Sequence, residues 1–305
     1  MKIARFSKSL GDMLKTYHML SNPGDMYRKA ENDLLEAFVP KKEWGLSCTY
    51  ISIYCMMPFV QPDDAKTTVR MDDGKYPIYA IVRSGGLEVV AEADYIEWTD
   101  TLQSIRMLSY STGIKTMKIA DIDFSKCTSF SYMFAHNRDV EEIHFRNIKG
   151  LENVRDTYSM FSCCCKLASL NMSCFQGLHP EYAESMFSAC YSLKRIDDIF
   201  QVDAKCYNTS AMFRDCLSLE ELDLNGWNVS GVSSMALMFY SCNSLKALDV
   251  HQFDPSHCKD MRLMFAHCSS LMILDTSGWK ISKECNTEDI IEECESLVFV
   301  DEILQ

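Results

Sequence analysis

The sequence predicts an α/β repeat solenoid: a leucine-rich-repeat-like right-handed stack with short parallel strands. A β-hairpin cap and a small N-terminal α/β module precede it. Three observations lead there. A Met-Phe pair recurs at Met133, Met160, Met186, Met212, Met238 and Met264, first after 27 residues and then every 26. Each pair is followed by apolar residues in fixed columns. Polar turn residues such as Asn225-Gly226 and Ser277-Gly278 close each unit. A period this strict marks units that bury their apolar faces only against their neighbours.

The columns give the local structure. With the Met of each pair as position zero, position four holds Asn137, Cys164, Cys190, Cys216, Cys242 and Cys268. Position seven holds Val140 and then five leucines; position ten holds Ile143, Leu170, Ile196, Leu222, Leu248 and Leu274. Position fifteen holds Ile148, Phe175, Gln201, Trp227, Phe253 and Trp279. Met107-Leu108 opens an earlier degenerate unit and Ile290-Ile291 a final one, making eight rungs with atypical ends. Met235, Met238 and Phe239 stand at i, i+3 and i+4, the spacing of a short helical turn. Leu222 and Leu224 alternate with Asp223, the spacing of a short strand. One rung is therefore expected to run helical turn, strand, turn.

Upstream of the array, three parts are expected: an N-terminal helical or α/β module over 1–73, a hairpin cap over 74–106 and the solenoid over 107–305. Within residues 1–45 the spacing of Tyr27, Ala30, Leu34 and Phe38 predicts a helix stopped by Pro40, with Asp25 as its N-cap. A shorter helix is expected from Leu10 to Leu20. Tyr50–Tyr54 alternates like a strand. Residues 76–83 and 87–94 read as a hairpin around Ser84-Gly85-Gly86, placed to cover the first rung.

Composition narrows the function. The net charge is −13, and residues 107–305 supply −11 of it. Nucleic-acid binding needs clustered Lys and Arg, so no nucleic-acid partner is expected. The most apolar run, Leu46–Val60, is too short to span a bilayer. With no export signal at Met1–Lys8, a cytoplasmic location is expected, the cell surface being the alternative. The fifteen cysteines are expected as reduced thiols.

The pattern Met-Phe-x-x-Cys-x-Ser-Leu-x-x-Leu-Asp, best seen in Met212–Asp223, Met238–Asp249 and Met264–Asp275, resembles the bacterial surface-protein repeat of the BspA-like leucine-rich-repeat family. The hairpin sequence Tyr76–Asp94 resembles the element that often precedes such arrays. The resemblance covers residues 74–305. It implies a right-handed solenoid used for protein binding, often on a bacterial surface, with no shared catalytic residues.

Several columns are candidates for chemistry. The recurrent cysteines are read first as small apolar fillers of the interior. Inter-rung disulfides or a metal are alternatives, although thiols in one line make no tetrahedron. Asp197, Asp223, Asp249, Asp275 and Asp301 recur eleven residues after zero and alternate with buried leucines, so they face outward. Carboxylates stacked about 5 Å apart repel by about 0.8 kcal/mol even in water and need compensation. Turn capping, docking of a basic partner and a row of cations are the three readings. Glu221, Ile273 and Phe299 stand on the same outer face. Ser192, Ser218, Ser244, Ser270 and Ser296 are expected to cap backbone rather than act as nucleophiles.

The function that follows is non-enzymatic protein binding, with a protein partner, for which a basic surface is one expectation, docked on the strand face and turns. The partner-binding residues would be Asp197, Asp223, Asp249, Asp275, Asp301, Glu221, Ile273 and Phe299. No catalytic residue, metal or cofactor is expected. Two alternatives stand: an adhesin exported by another route, and an enzyme using residues of the N-terminal module such as His18, Cys48 and Cys55.

Overall fold

The computed structural model describes residues 113–298 without a break. Before them it describes 3–5, 50–56, 67–70, 78–83, 86–91 and 93–99, with residues 63, 65 and 108. The N-terminal helices expected within 1–45 lie outside the described residues, except that Ile3–Arg5 is a strand.

Twelve strands occur among the described residues. They are β1 (Ile3–Arg5), β2 (Tyr50–Cys55), β3 (Thr67–Arg70), β4 (Ile78–Arg83), β5 (Gly86–Ala91), β6 (Tyr95–Thr99), β7 (Thr116–Lys126), β8 (Glu142–Lys149), β9 (Ser169–Asn171), β10 (Arg195–Asp197), β11 (Ala247–Asp249) and β12 (Ile273–Asp275). The hairpin β4–β5 pairs Arg83 with Gly86, so Gly86, expected within the turn, opens the second strand. It does not cover the first rung directly. β5 pairs with β2, and β2 and β6 lie end to end along one edge of β7, while β8 takes the other edge. Strand β7, buried without a break from Ile119 to Phe124, thus belongs to both the N-terminal sheet and the stack.

A polar clasp fastens this junction. Asp121 on β7 and Asn147 on β8 lie side by side, both with left-handed backbone (φ 59° and 52°). Asp121 accepts hydrogen bonds from Asn147 Nδ2 at 2.9 Å and Arg146 at 3.1 Å; Tyr95 of β6 donates to Asn147 at 2.7 Å. Nearby, Asp123 accepts from Ser125 N at 3.0 Å and pairs with Lys149 at 3.2 Å. Burial pushes its carboxyl upward, but the bonds from Ser125 and Lys149 outweigh this and hold it below its ordinary value.

Beyond the junction the chain winds as a β-solenoid. Single-residue parallel bridges step from Ser129 to Asp156, Tyr182, Asn208, Ser234, Asp260 and Asn286, marking six complete turns, with partial ones at either end. The expected helical turn is absent. Between residues 113 and 298 the only helix is a single 3-10 turn at Ser173–Phe175. In its place each rung alternates backbone hand. The residues one before and three after each zero position, such as Ser185 and Ala189 or Leu237 and Ser241, have φ of 52–61°. A left-handed residue costs about 1–2 kcal/mol. The return is an inter-rung ladder: every second N–H is freed to bond the next turn, as Phe187 N to Met212 O and Ala189 N to Arg214 O, both 2.8 Å. The N–H groups between them close tight turns within the rung, as Cys190 N to Phe187 O at 3.2 Å. Each ladder bond contributes about 0.5–1.5 kcal/mol, enough to offset the strain.

Two columns fill the core. Phe134, Phe161, Phe187, Phe213, Phe239 and Phe265 form a continuous stack with centroids 5.2–5.6 Å apart and planes within 1–9°. Below it, the cysteines at position four each donate a thiol hydrogen to the Phe carbonyl of the preceding turn, at 3.0–3.3 Å from Cys164 to Cys294. Asn137 does the same in the first complete turn, bonding Leu108 O and Phe134 O at 2.7 Å. Asn at that position is therefore the same solution with a different donor. These thiols are buried, which drives Cys190 and Cys242 far above the usual thiol range.

The column at position fifteen needs one correction. Phe200, not Gln201, fills the apolar slot and lies 6.4 Å from Trp227. Asp198, with φ 53°, turns the backbone left-handed two residues before it. The indoles record the consequence. Trp279 Nε1 donates to Val250 O at 2.8 Å, whereas the buried Trp227 Nε1 has no acceptor. Trp279→Phe should therefore cost about 1–3 kcal/mol more than Trp227→Phe, since only the former strands a bonded carbonyl. Urea melts of the two variants against wild type measure the difference; equal costs would contradict this reading.

Candidate docking surface

The strand face carries the aspartate column, and the structure shows how each described member is held. Asp223 accepts from Asn225 N at 2.9 Å, Asp249 from His251 N at 3.3 Å and Asp275 from Ser277 N at 3.0 Å. Asn171 makes the same bond to Ser173 N. These are Asx turns, in which the side chain fixes the bend that follows the strand. Capping therefore supplies the compensation that stacked carboxylates need. The His251 imidazole adds to it: its bond to Asp249 raises His251 and holds the Asp249 carboxyl below its ordinary value. The backbone N–H of Ser277 lowers Asp275 likewise. Asp197 is tied differently, by Arg195 at 3.4 Å.

The column is not a uniform ladder. β9 pairs with β10 and β11 with β12, but Glu221–Asp223 between them belongs to no strand. Leu222 is only partly buried, unlike Ile196 and Leu248 on either side. The interruption opens a groove of about 610 Å³. Six acidic residues line it, Asp197, Asp198, Glu220, Glu221, Asp223 and Asp249, against the two basic residues Arg195 and Lys246. Glu220 has Lys194 at 3.8 Å, while Asp198, Glu221 and Asp223 have no ion pair among the described residues. The structure thus brings together Asp197, Glu221, Asp223 and Asp249. Asp275 lies one turn beyond, as the register partner of Asp249. Beside it Ile273 is 52% exposed. Asp301 and Phe299 lie outside the described residues.

A second face was not singled out from the sequence. Four positions before zero, Asp156, Asn208, Asp260 and Asn286 each accept the N–H two residues on, at 2.8–3.2 Å. Their recurrence at the repeat spacing was the available signal. Tyr182 and Tyr207 stand on this face, 46% and 53% exposed. Among the described residues no three His, Cys, Asp or Glu side chains are arranged to hold a metal ion, and no helix is long and apolar enough to cross a membrane.

A turn-capped β-solenoid of this kind is a repeat scaffold. Within that class, the chain belongs to the family described as Mycoplasma protein of unknown function, DUF285, whose model matches residues 99–200 and again 183–299. The double match follows the repetition of the array itself. No curated protein matches the chain.

Proposed function

We propose that the protein is a non-enzymatic scaffold that docks a protein partner along the strand face of its solenoid. The observation that carries this is the groove between β10 and β11, where carboxylates outnumber cations. A surface with an excess of one sign, set on a repeating array, steers an oppositely charged partner and fixes its register. The exposed Ile273 beside it adds apolar contact. The partner is therefore a protein with a basic segment. The sequence resemblance to BspA-like repeats supports the same use of the fold.

Charge and capping can be separated experimentally. Asn caps an Asx turn as well as Asp does. The combined variant Asp223→Asn, Asp249→Asn and Asp275→Asn should keep the melting temperature of the wild type. It should also lose, in parallel affinity capture, the proteins that wild type enriches at low salt. If both capture the same proteins, the acidic face is not the docking surface.

A further inference from the structure

One pair of thiols differs from all the others. Cys258 and Cys285 occupy the same corner in successive turns. Cys258 N donates to Pro255 O at 2.9 Å and Cys285 N to Ser282 O at 3.0 Å, so each closes the same kind of tight turn. Just after this corner the two turns are laddered: Asn286 N donates to Lys259 O at 2.9 Å, and Asp260 bridges to Asn286. Neighbouring turns of a parallel ladder lie about 4.8 Å apart. That is inside the range of about 4.4–6.8 Å between Cα atoms that a disulfide spans.

The sulfurs of this pair are also held less tightly than those at position four. Position-four thiols are each held at 3.0–3.3 Å by a Phe carbonyl of the turn before, all pointing one way. Cys258 and Cys285 have looser contacts. Cys258 Sγ lies 3.5 and 3.4 Å from the carbonyls of Ser233 and Asp260, and Cys285 Sγ lies 3.8 Å from that of Asn286. Cys258 is buried, while Cys285 is half-buried and reachable from solvent.

We propose that Cys258 and Cys285 form an inter-turn cross-linking site, oxidised to a disulfide by a soluble low-molecular-weight disulfide. The Cys285 thiolate attacks one sulfur of the reagent, forming a mixed disulfide and releasing one thiolate. Cys258, deprotonated in turn, attacks the Cys285 sulfur, closes the bridge and expels the second thiolate. The two thiol protons pass to solvent. Two electrons leave the cysteine pair and reduce the reagent to two thiols. Burial, with Cys258 beside it, raises the Cys285 thiol to about 12, so its thiolate is scarce near neutrality. Exchange should therefore quicken about tenfold per pH unit as the pH rises toward that value.

The test uses the full chain, folded, with oxidised glutathione at pH 7 and pH 9, quenched with acid and mapped by mass spectrometry. Loss of two hydrogens on a linked peptide pair holding Cys258 and Cys285, formed faster at pH 9, is expected. The cross-linked protein should also melt at higher temperature. In Cys258→Ser a stable glutathione adduct should collect at Cys285, and in Cys285→Ser Cys258 should stay reduced. Cys285→Ser changes a half-buried corner, so its fold can be checked by circular dichroism. A lasting adduct at Cys285 in the wild type, or a link through other thiols such as Cys163 and Cys165, would overturn the proposal.

Discussion

Gly231→Ala should destabilise the protein by about 3 kcal/mol or more, at the upper end of what overpacking costs. A methyl group at Gly231 would stand 1.9 Å from the carbonyl oxygen of Ala204 and 2.8 Å from its carbon. Both are backbone atoms of the neighbouring turn, so no side-chain rotation relieves the clash. The turns must separate, and separation breaks ladder bonds nearby: Asn228 N to Val202 O at 2.8 Å, then Ser233 N to Tyr207 O at 2.9 Å. Gly177→Ala is the control. An added methyl there meets nothing within 4 Å, so its effect should be small. Chemical denaturation of both variants measures the contrast. Equal stabilities would mean that the spacing of the turns adjusts freely.

That tightness bears on what a reader of the sequence can and cannot recover. The period, the Phe stack and the burial of Cys and Leu follow from recurrence alone, because like residues one turn apart must pack on each other. The Asp column too is legible: alternation places it outward, and like charges in a row need hydrogen-bond partners. The backbone that joins these columns is not. Met235, Met238 and Phe239 have helical spacing, yet Leu237 and Ser241 are left-handed. Glycine would normally announce such a conformation. Here Tyr, Ser, Ala, Leu, His, Asp and Glu adopt it, because the ladder to the next turn offsets the strain. The groove is hidden for a related reason. Leu222 and Leu224 keep the strand pattern, and the left-handed Asp198, one turn earlier, distinguishes their surroundings. A local pattern reports which side chains are buried; it does not report whether the neighbouring turn is positioned to complete the ladder.

The Phe stack is where that dependence on neighbours has its largest effect. Phe213 is fully buried, with Phe187 and Phe239 each 5.5 Å away and Trp227 at 6.4 Å. Removing its ring leaves a void that rigid turns above and below cannot fill, so Phe213→Ala should cost about 3–5 kcal/mol. The backbone bonds at this position, from Phe213 N to Met238 O and from Cys242 Sγ to Phe213 O, survive the substitution. The loss is therefore one of packing. In a stacked array, stability is close to a sum of turn and interface terms, and a weak central interface uncouples the two halves. Phe213→Ala should accordingly broaden the denaturant transition or split it in two. Phe265→Ala, at the end of the stack, should lower the midpoint while leaving a single transition. Fluorescence of variants that keep Trp98 or Trp279 as the sole tryptophan, one on each side of Phe213, follows the halves separately. A single sharp transition in Phe213→Ala, shifted no further than in Phe265→Ala, would show that the turns hold together by the backbone ladder alone.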